Sequence, residues 1–259
     1  MANELNLSGK VALVTGGNGG IGLGMAEGMA AAGADLVIWG SNPQKNAGAE
    51  TKLKSYGRRV LAQRCDVADE AMVESCFAEA VQKMGRIDAC FANAGVSQAR
   101  ASFHELETKE WRRVLSVNLD GAFFTLRAAA RHMVERATKG DKGGRLVGMA
   151  STAAVHGPAR AQAYAASKGA MVAMIRALAT EMARYGVTAN SILPGWIETE
   201  MTARAVGDEK FAGAVMPRIP VRRWGAGKDF AGIAVYLASD ASSYHTGDSF
   251  VIDGAYTIF

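Results

Sequence analysis

Tyr164 and Lys168 stand four residues apart in the stretch AYAASKGAM. Small residues, then Met, Ile and Leu, continue to Tyr185 without a proline, so the stretch reads as the start of a helix. On a helix, residues i and i+4 share a face. An ammonium beside a phenol favours the phenolate, so the spacing predicts a lowered tyrosine pKa and a side chain able to give or take a proton near neutral pH. Taken alone, the same spacing also fits an ordinary interfacial tyrosine and a solvated lysine. The rest of the chain decides between them.

A second stretch with chemical meaning is TGGNGGIG at 15–22, between a first apolar strand and a first helix. Glycines at such a turn let the backbone approach a pyrophosphate, whose charge meets the helix N-terminus. Gly16, Gly20 and Gly22 follow TGxxxGxG, and no GxxxxGK[ST] is present, which disfavours a P-loop hydrolase.

These residues need a frame, and the chain alternates strand and helix throughout. Apolar strands are expected at 11–16, 35–40, 59–67, 87–95, 145–151, 187–195 and 249–254. Helices are expected at 20–33, 43–57 and 69–85, as one stretch from Thr108 to Arg136, from about 162 to 185, and from Gly227 to Leu237. Residues 135–145 read as an exposed loop and 196–226 as irregular. This pattern predicts a Rossmann-like, doubly wound parallel sheet in a three-layer α/β/α sandwich. With 259 residues, 49% hydrophobic and 21% charged, a single domain spanning 1–259 is the economical expectation.

Composition narrows the function. The net charge of +4 is scattered rather than gathered in a stripe, which argues against nucleic acid and suits an anionic cofactor or substrate. No apolar run approaches the roughly 20 residues needed to span a bilayer. The polar, acidic start MANELNLSGK is unlike a secretory signal. Cys65, Cys76 and Cys90 are odd in number, as in a reduced, cytoplasmic protein. The four histidines have no metal-ligand spacing, so no metal is expected.

Further pieces occur in order with these two: CDV at 65–67, NAG at 93–95, SVNLDG at 116–121, MAS ending at Ser151, YAASK at 164–168 and PGWIET at 194–199. On this ordered set the chain resembles the short-chain dehydrogenases/reductases over almost its whole length. The resemblance implies interconversion of a secondary alcohol and a ketone by hydride transfer. It implies Tyr164 as acid/base, Lys168 as its support and ligand of the nicotinamide ribose, Ser151 on the substrate oxygen and Asn118 holding a water. It also implies a cofactor cleft built from Gly16, Asn18, Gly20, Ile21 and Gly22; Ser41 and Asn42; Asp66 and Val67; Asn93, Ala94 and Gly95; Tyr164 and Lys168; and Pro194, Gly195, Ile197 and Thr199. The rival reading is a non-catalytic nucleotide sensor on the same fold. Such a protein would typically lack the tyrosine or lysine retained here.

The end of the second strand reads WGSN, with no carboxylate to bind a ribose 2′-OH. The arginine common in NADP enzymes is also missing, replaced by Ser41, and Asn18 stands where many have a basic residue. The cofactor reading leans to NADP(H) over NAD(H).

Gln98, Arg100, His156, Trp196, Glu198 and Met201 are candidates to line a substrate site, with His156 and Trp196 foremost. Trp196, Met201, Phe211 and Met216 would form an apolar lid over about 196–226. A sugar or polyol, a cyclic ketone and a 3-oxoacyl thioester all fit. Ala170, Met174, Ala177, Leu178 and Glu181 form a stripe at helical spacing, and by resemblance the long helices pair into a homotetramer.

Overall fold

The computed structural model describes residues 4–99 and 101–259; Arg100, a candidate lining residue, lies outside them. In chain order the elements are β1 (Val11–Thr15), α1 (Gly20–Ala31), β2 (Asp35–Gly40), α2 (Pro43–Lys54), β3 (Val60–Arg64), α3 (Glu70–Met84) and β4 (Ala89–Ala92). Then come α4 (Thr108–Leu115), α5 (Gly121–Thr138), β5 (Gly144–Met149), α6 (Ala153–His156), α7 (Gln162–Met182) and β6 (Val187–Pro194). The chain ends with α8 (Ala203–Val206), α9 (Glu209–Val215), α10 (Ala231–Ala238) and β7 (Ser249–Ile252).

All seven strands form one parallel sheet in the order β3-β2-β1-β4-β5-β6-β7. Strand alternation feeds two cores. Val11 and Leu13 of β1 pack among residues of α3, α5 and α7, whereas Ala12 and Val14 pack among residues of α1, α2 and α10. With both faces covered, the strands are apolar on both sides, which is why they read as continuous runs. The strand order reverses between β1 and β4, and that reversal opens a crevice at the C-terminal ends of the strands.

Three expectations change. The stretch 108–136 is not one helix: Ser116–Asp120 form a π turn between α4 and α5, in which the Gly121 N–H donates to the Ser116 carbonyl. The exposed loop expected at 135–145 is shorter, at 139–143, because α5 continues to Thr138 and β5 begins at Gly144. Arg145 is buried there, donating to the Ser239 carbonyl and pairing with Asp240. The stretch 196–226 is less irregular than its composition implies, since it contains α8, α9 and a 3₁₀ turn at Met216–Arg218. No helix among the described residues is long and apolar enough to cross a membrane.

Candidate active site

The glycine turn is held at the crevice by the strand beside it. Thr15 Oγ1 accepts the N–H groups of Asn93 and Ala94, each at 2.9 Å, and Asn93 Nδ2 donates to the Thr15 carbonyl at 2.8 Å. A Cβ at Gly22 would lie 2.2 Å from the Gly16 carbonyl oxygen and 2.6 Å from Asn93 Nδ2. Gly22 and Asn93 are thus the packing that sets the height of the turn. A Cβ on Gly20 would meet Thr199 Cγ2 at 3.0 Å, so the segment after β6 lies over this turn.

A cleft of about 610 Å³ runs along the strand ends. Of the expected cofactor residues, Gly16, Asn18, Ser41, Asn42, Asp66, Val67, Ala94 and Gly95 line it. Ile197 packs its side chain into the core, and Gly195 lines a neighbouring cavity instead. Trp39, Lys45, Arg113 and Glu200 also line the cleft and were not read from the sequence. The residues fit a dinucleotide. An uncharged glycine turn opens the N-terminus of α1, and Gly40 ends β2 with no carboxylate.

The Ser/Tyr/Lys set lies beside this cleft: a Cβ on Gly95, which lines it, would be 3.6 Å from Lys168 Nζ. Ser151 follows β5 and accepts the Ala153 N–H at 3.1 Å. Tyr164 sits in the first turn of α7, whose own N-cap residue, Ala161, makes no side-chain cap. Gln98 supplies the cap from a distance: its Oε1 accepts from the N–H groups of Ala163 at 2.7 Å and Tyr164 at 3.3 Å. Gln98 therefore borders the cavity beside Ser151 and Tyr164 and also anchors the helix that carries Tyr164.

Asn118 is fully buried in the π turn. Its Oδ1 accepts from the Val96 N–H at 2.7 Å, and its Nδ2 donates to the Val96 carbonyl at 3.0 Å and to Ser167 Oγ at 3.3 Å. Ser167 Oγ in turn donates to the Tyr164 carbonyl at 2.7 Å. The extra residue of the π turn is what lets one amide tie the β4 loop to α7. Lys168 is buried, donates to the Met149 carbonyl at 2.7 Å, and lies 5.7 Å from the centre of the Tyr164 ring.

The shared helix face is as expected, but the direction of the tyrosine shift is not. Burial pushes Tyr164 above the usual phenol range, and the Ser151 hydrogen bond opposes that rise. Lys168 does not reverse it, since burial acts against its own charge and pulls its pKa down to about 8. Spacing showed the partner but not the desolvation, which penalises both charged forms.

A second cavity, of about 750 Å³, adjoins Ser151 and Tyr164. Gln98, His156, Trp196, Met201 and Phe211 line it as expected; Glu198 and Met216 do not. Arg160, Arg204 and Asp208 line it too. Trp196 meets Phe211 at 4.9 Å between ring centres, and Phe211 stacks on Trp224, which gives the cavity an apolar side. Among the described residues, no group of three His, Cys, Asp or Glu side chains is placed to hold a metal.

A glycine turn at the point where strand order reverses, with a buried Tyr/Lys pair beside a second cavity, defines a dinucleotide-dependent oxidoreductase. The comparisons agree. The family described as enoyl-(acyl carrier protein) reductase matches residues 16–257. The gluconate 5-dehydrogenase of Gluconobacter oxydans (strain 621H) is 36% identical over 253 residues, covering 98% of this chain and 96% of that protein. The 3-oxoacyl-[acyl-carrier-protein] reductase of Chlamydia pneumoniae is 34% identical, covering 98% and 99%. A solved gluconate 5-dehydrogenase from Burkholderia cenocepacia J2315, in complex with NADP and tartrate, aligns with a TM-score of 0.92 at 34% identity over 98% of each chain. The chain belongs to the short-chain dehydrogenase/reductase family. It is an NAD(P)(H)-dependent oxidoreductase that interconverts alcohol and ketone groups.

Proposed function

We propose that the substrate is a carboxylate-bearing polyol or its keto form, a sugar acid rather than an acyl thioester, and that NADP(H) is the preferred cofactor. One observation carries the substrate class. Arg160 and Arg204 line the cavity beside Ser151 and Tyr164, and neither has an ion-pair partner among the described residues. Arg160 is also held at φ +61°, in the left-handed region that a long side chain rarely adopts. His156 is depressed by burial and then by Arg218, so it meets a hydroxyl as a neutral imidazole at pH 7. The gluconate-acting relatives support the same class.

In this reading Ser151 and Tyr164 hold the reacting oxygen, Tyr164 moves its proton, and Lys168 and Asn118 keep Tyr164 in place. The cofactor, when bound, supplies or accepts the hydride. The turn 16–22, Ser41 and Asn42, Asp66 and Val67, the stretch 93–95 and the segment 194–199 hold it. The chain acts as one domain, with 196–226 as the substrate lid. Its three buried free thiols accord with a reducing cytoplasm.

The substrate test pairs Arg160→Gln and Arg204→Gln with two substrates, an aldonate and the matching neutral alditol. Loss of a charged hydrogen bond is worth about 1.5–3 kcal/mol, so KM for the aldonate should rise about 10- to 100-fold with kcat little changed. The alditol, poor in both, should not respond. Equal effects on both substrates, or faster turnover of a 3-oxoacyl thioester, would overturn the assignment.

We also propose a homotetramer. Phe123, Ala130 and Val134 of α5, with Met174, Ala177 and Leu178 of α7, line an apolar groove on the outer face of these helices, and Phe123 is 43% exposed. Light scattering after size-exclusion chromatography should give four times the 27.2 kDa chain mass. A single-chain mass at micromolar concentration would remove this interface.

A further inference from the structure

The residues at the turn and at the end of β2 that line the cleft, Asn18, Ser41 and Asn42, offer a 2′-phosphate no cation. The structure brings one from elsewhere. Lys45, the third residue of α2, lines the cleft together with Ser41 and Asn42. A lysine in the first turn of a helix faces the positive end of the helix dipole, an unfavourable place unless an anion shares it. The other cation lining the cleft, Arg113, is committed: its guanidinium holds Glu110 and donates to the Ser97 carbonyl at 2.7 Å. Lys45 instead pairs with Glu200, which comes from the segment after β6 and lines the opposite side of the same cleft.

The floor beneath Lys45 is uncharged and full. A Cβ on Gly40 would lie 2.1 Å from Asn18 Nδ2 and 2.4 Å from Asn46 Oδ1. Asn46 is buried; it accepts from Asn18 at 2.7 Å and donates to the Gly40 and Gln63 carbonyls, each at 3.0 Å. This amide bridge occupies the space that a carboxylate at the end of β2 would need. An acidic side chain at Gly40 is thus shut out by packing.

We propose that Lys45 is the residue that reads the ribose 2′-phosphate, and that Glu200 is its internal competitor. This inference rests on the dinucleotide reading of the cleft. The Lys45–Glu200 pair is exposed, with side chains 45% and 82% accessible, and such pairs are weak. A phosphate dianion between Ser41 and Lys45 outcompetes one carboxylate, and Glu200 returns to water at little cost. A cofactor without the phosphate leaves the pair closed across the cleft. The two residues therefore push cofactor preference in opposite directions.

The test is calorimetric binding of 2′,5′-ADP and of 5′-ADP to the intact protein, which needs no turnover. Lys45→Gln should weaken 2′,5′-ADP about tenfold and leave 5′-ADP within about twofold, and Lys45→Arg should restore most of the loss. Glu200→Gln should tighten 2′,5′-ADP by about two- to fivefold and leave 5′-ADP unchanged. Both positions are exposed, so the thermal midpoint should stay near that of the parent. Equal weakening of both nucleotides in Lys45→Gln, or no change in either, would overturn the role of Lys45. A Glu200→Gln variant that binds 2′,5′-ADP no better would overturn the competition. Failure of the parent protein to bind either nucleotide would remove the dinucleotide reading itself, and this inference with it.

Discussion

Tyr164→Phe is expected to lower kcat by about a thousandfold while dinucleotide affinity stays within about threefold of the parent, because a positioned proton donor contributes about 10²–10⁴ to such a step. The substitution removes one oxygen and keeps the ring that fills the first turn of α7. Gln98 still caps that turn through backbone groups, and Ser167 still bonds the Tyr164 carbonyl, so the helix should not move. The loss should therefore fall on kcat rather than on cofactor binding. Burial also fixes the sign of the pH dependence. With its pKa held above the usual phenol range, Tyr164 is protonated at neutral pH. Carbonyl reduction then starts from a ready donor and slows as pH rises through the tyrosine pKa. Alcohol oxidation needs the phenolate and quickens over the same window. Lys168, pulled to about 8, loses its charge at lower pH than that window, so it lends the phenolate no charge there. Rates measured in both directions across pH should slope oppositely. Parallel slopes, or a Tyr164→Phe variant with near-normal kcat, would take Tyr164 out of the proton transfer.

The frame of this site was legible because strands covered on both faces read as apolar runs, and because a glycine turn after the first of them has few alternative meanings. What escaped depends on distances across the sequence. Lys45 and Glu200 are 155 positions apart, and neither carries a motif. Gln98 could be placed near the substrate, yet its capping of α7 needs a neighbour more than 60 residues away. The π turn was hidden because apolar and small residues continue through it: Val114, Val117, Gly121 and Ala122 keep a helical rhythm while Asn118 turns inward. Arg145 looked like a loop residue because lysines, glycines and an aspartate precede it, although its side chain is satisfied by Ser239 and Asp240. The tyrosine shift was misjudged for a related reason. Spacing reports which charge is near, whereas burial depends on everything packed around it.

Gly22→Ala is expected to be the most damaging single-methyl change in the glycine turn. The new carbon would lie 2.2 Å from the Gly16 carbonyl oxygen and 2.6 Å from Asn93 Nδ2. The first is backbone. The second is fixed by its 2.8 Å bond to the Thr15 carbonyl, so neither can step aside without moving β1, β4 or the turn. Overpacking of this kind costs roughly 1–3 kcal/mol or more, and at about 2–4 °C per kcal/mol for a chain of this size the thermal midpoint should fall by about 5–10 °C. Because moving the Gly16 carbonyl shifts the turn whose N–H groups would cradle the pyrophosphate, NADP affinity should fall at least about tenfold as well. Gly48→Ala is the matched opposite. It lies inside α2, nothing stands within 4 Å of its added carbon, and alanine gains about 0.8–1 kcal/mol over glycine in a helix. Its midpoint should rise by about 2–4 °C with NADP affinity unchanged. Differential scanning calorimetry and NADP titration on the two variants separate packing from helix propensity. If both variants moved the midpoint in the same direction, or if Gly22→Ala bound NADP as well as the parent, the contact between α1 and the turn would not be what shapes the cofactor site.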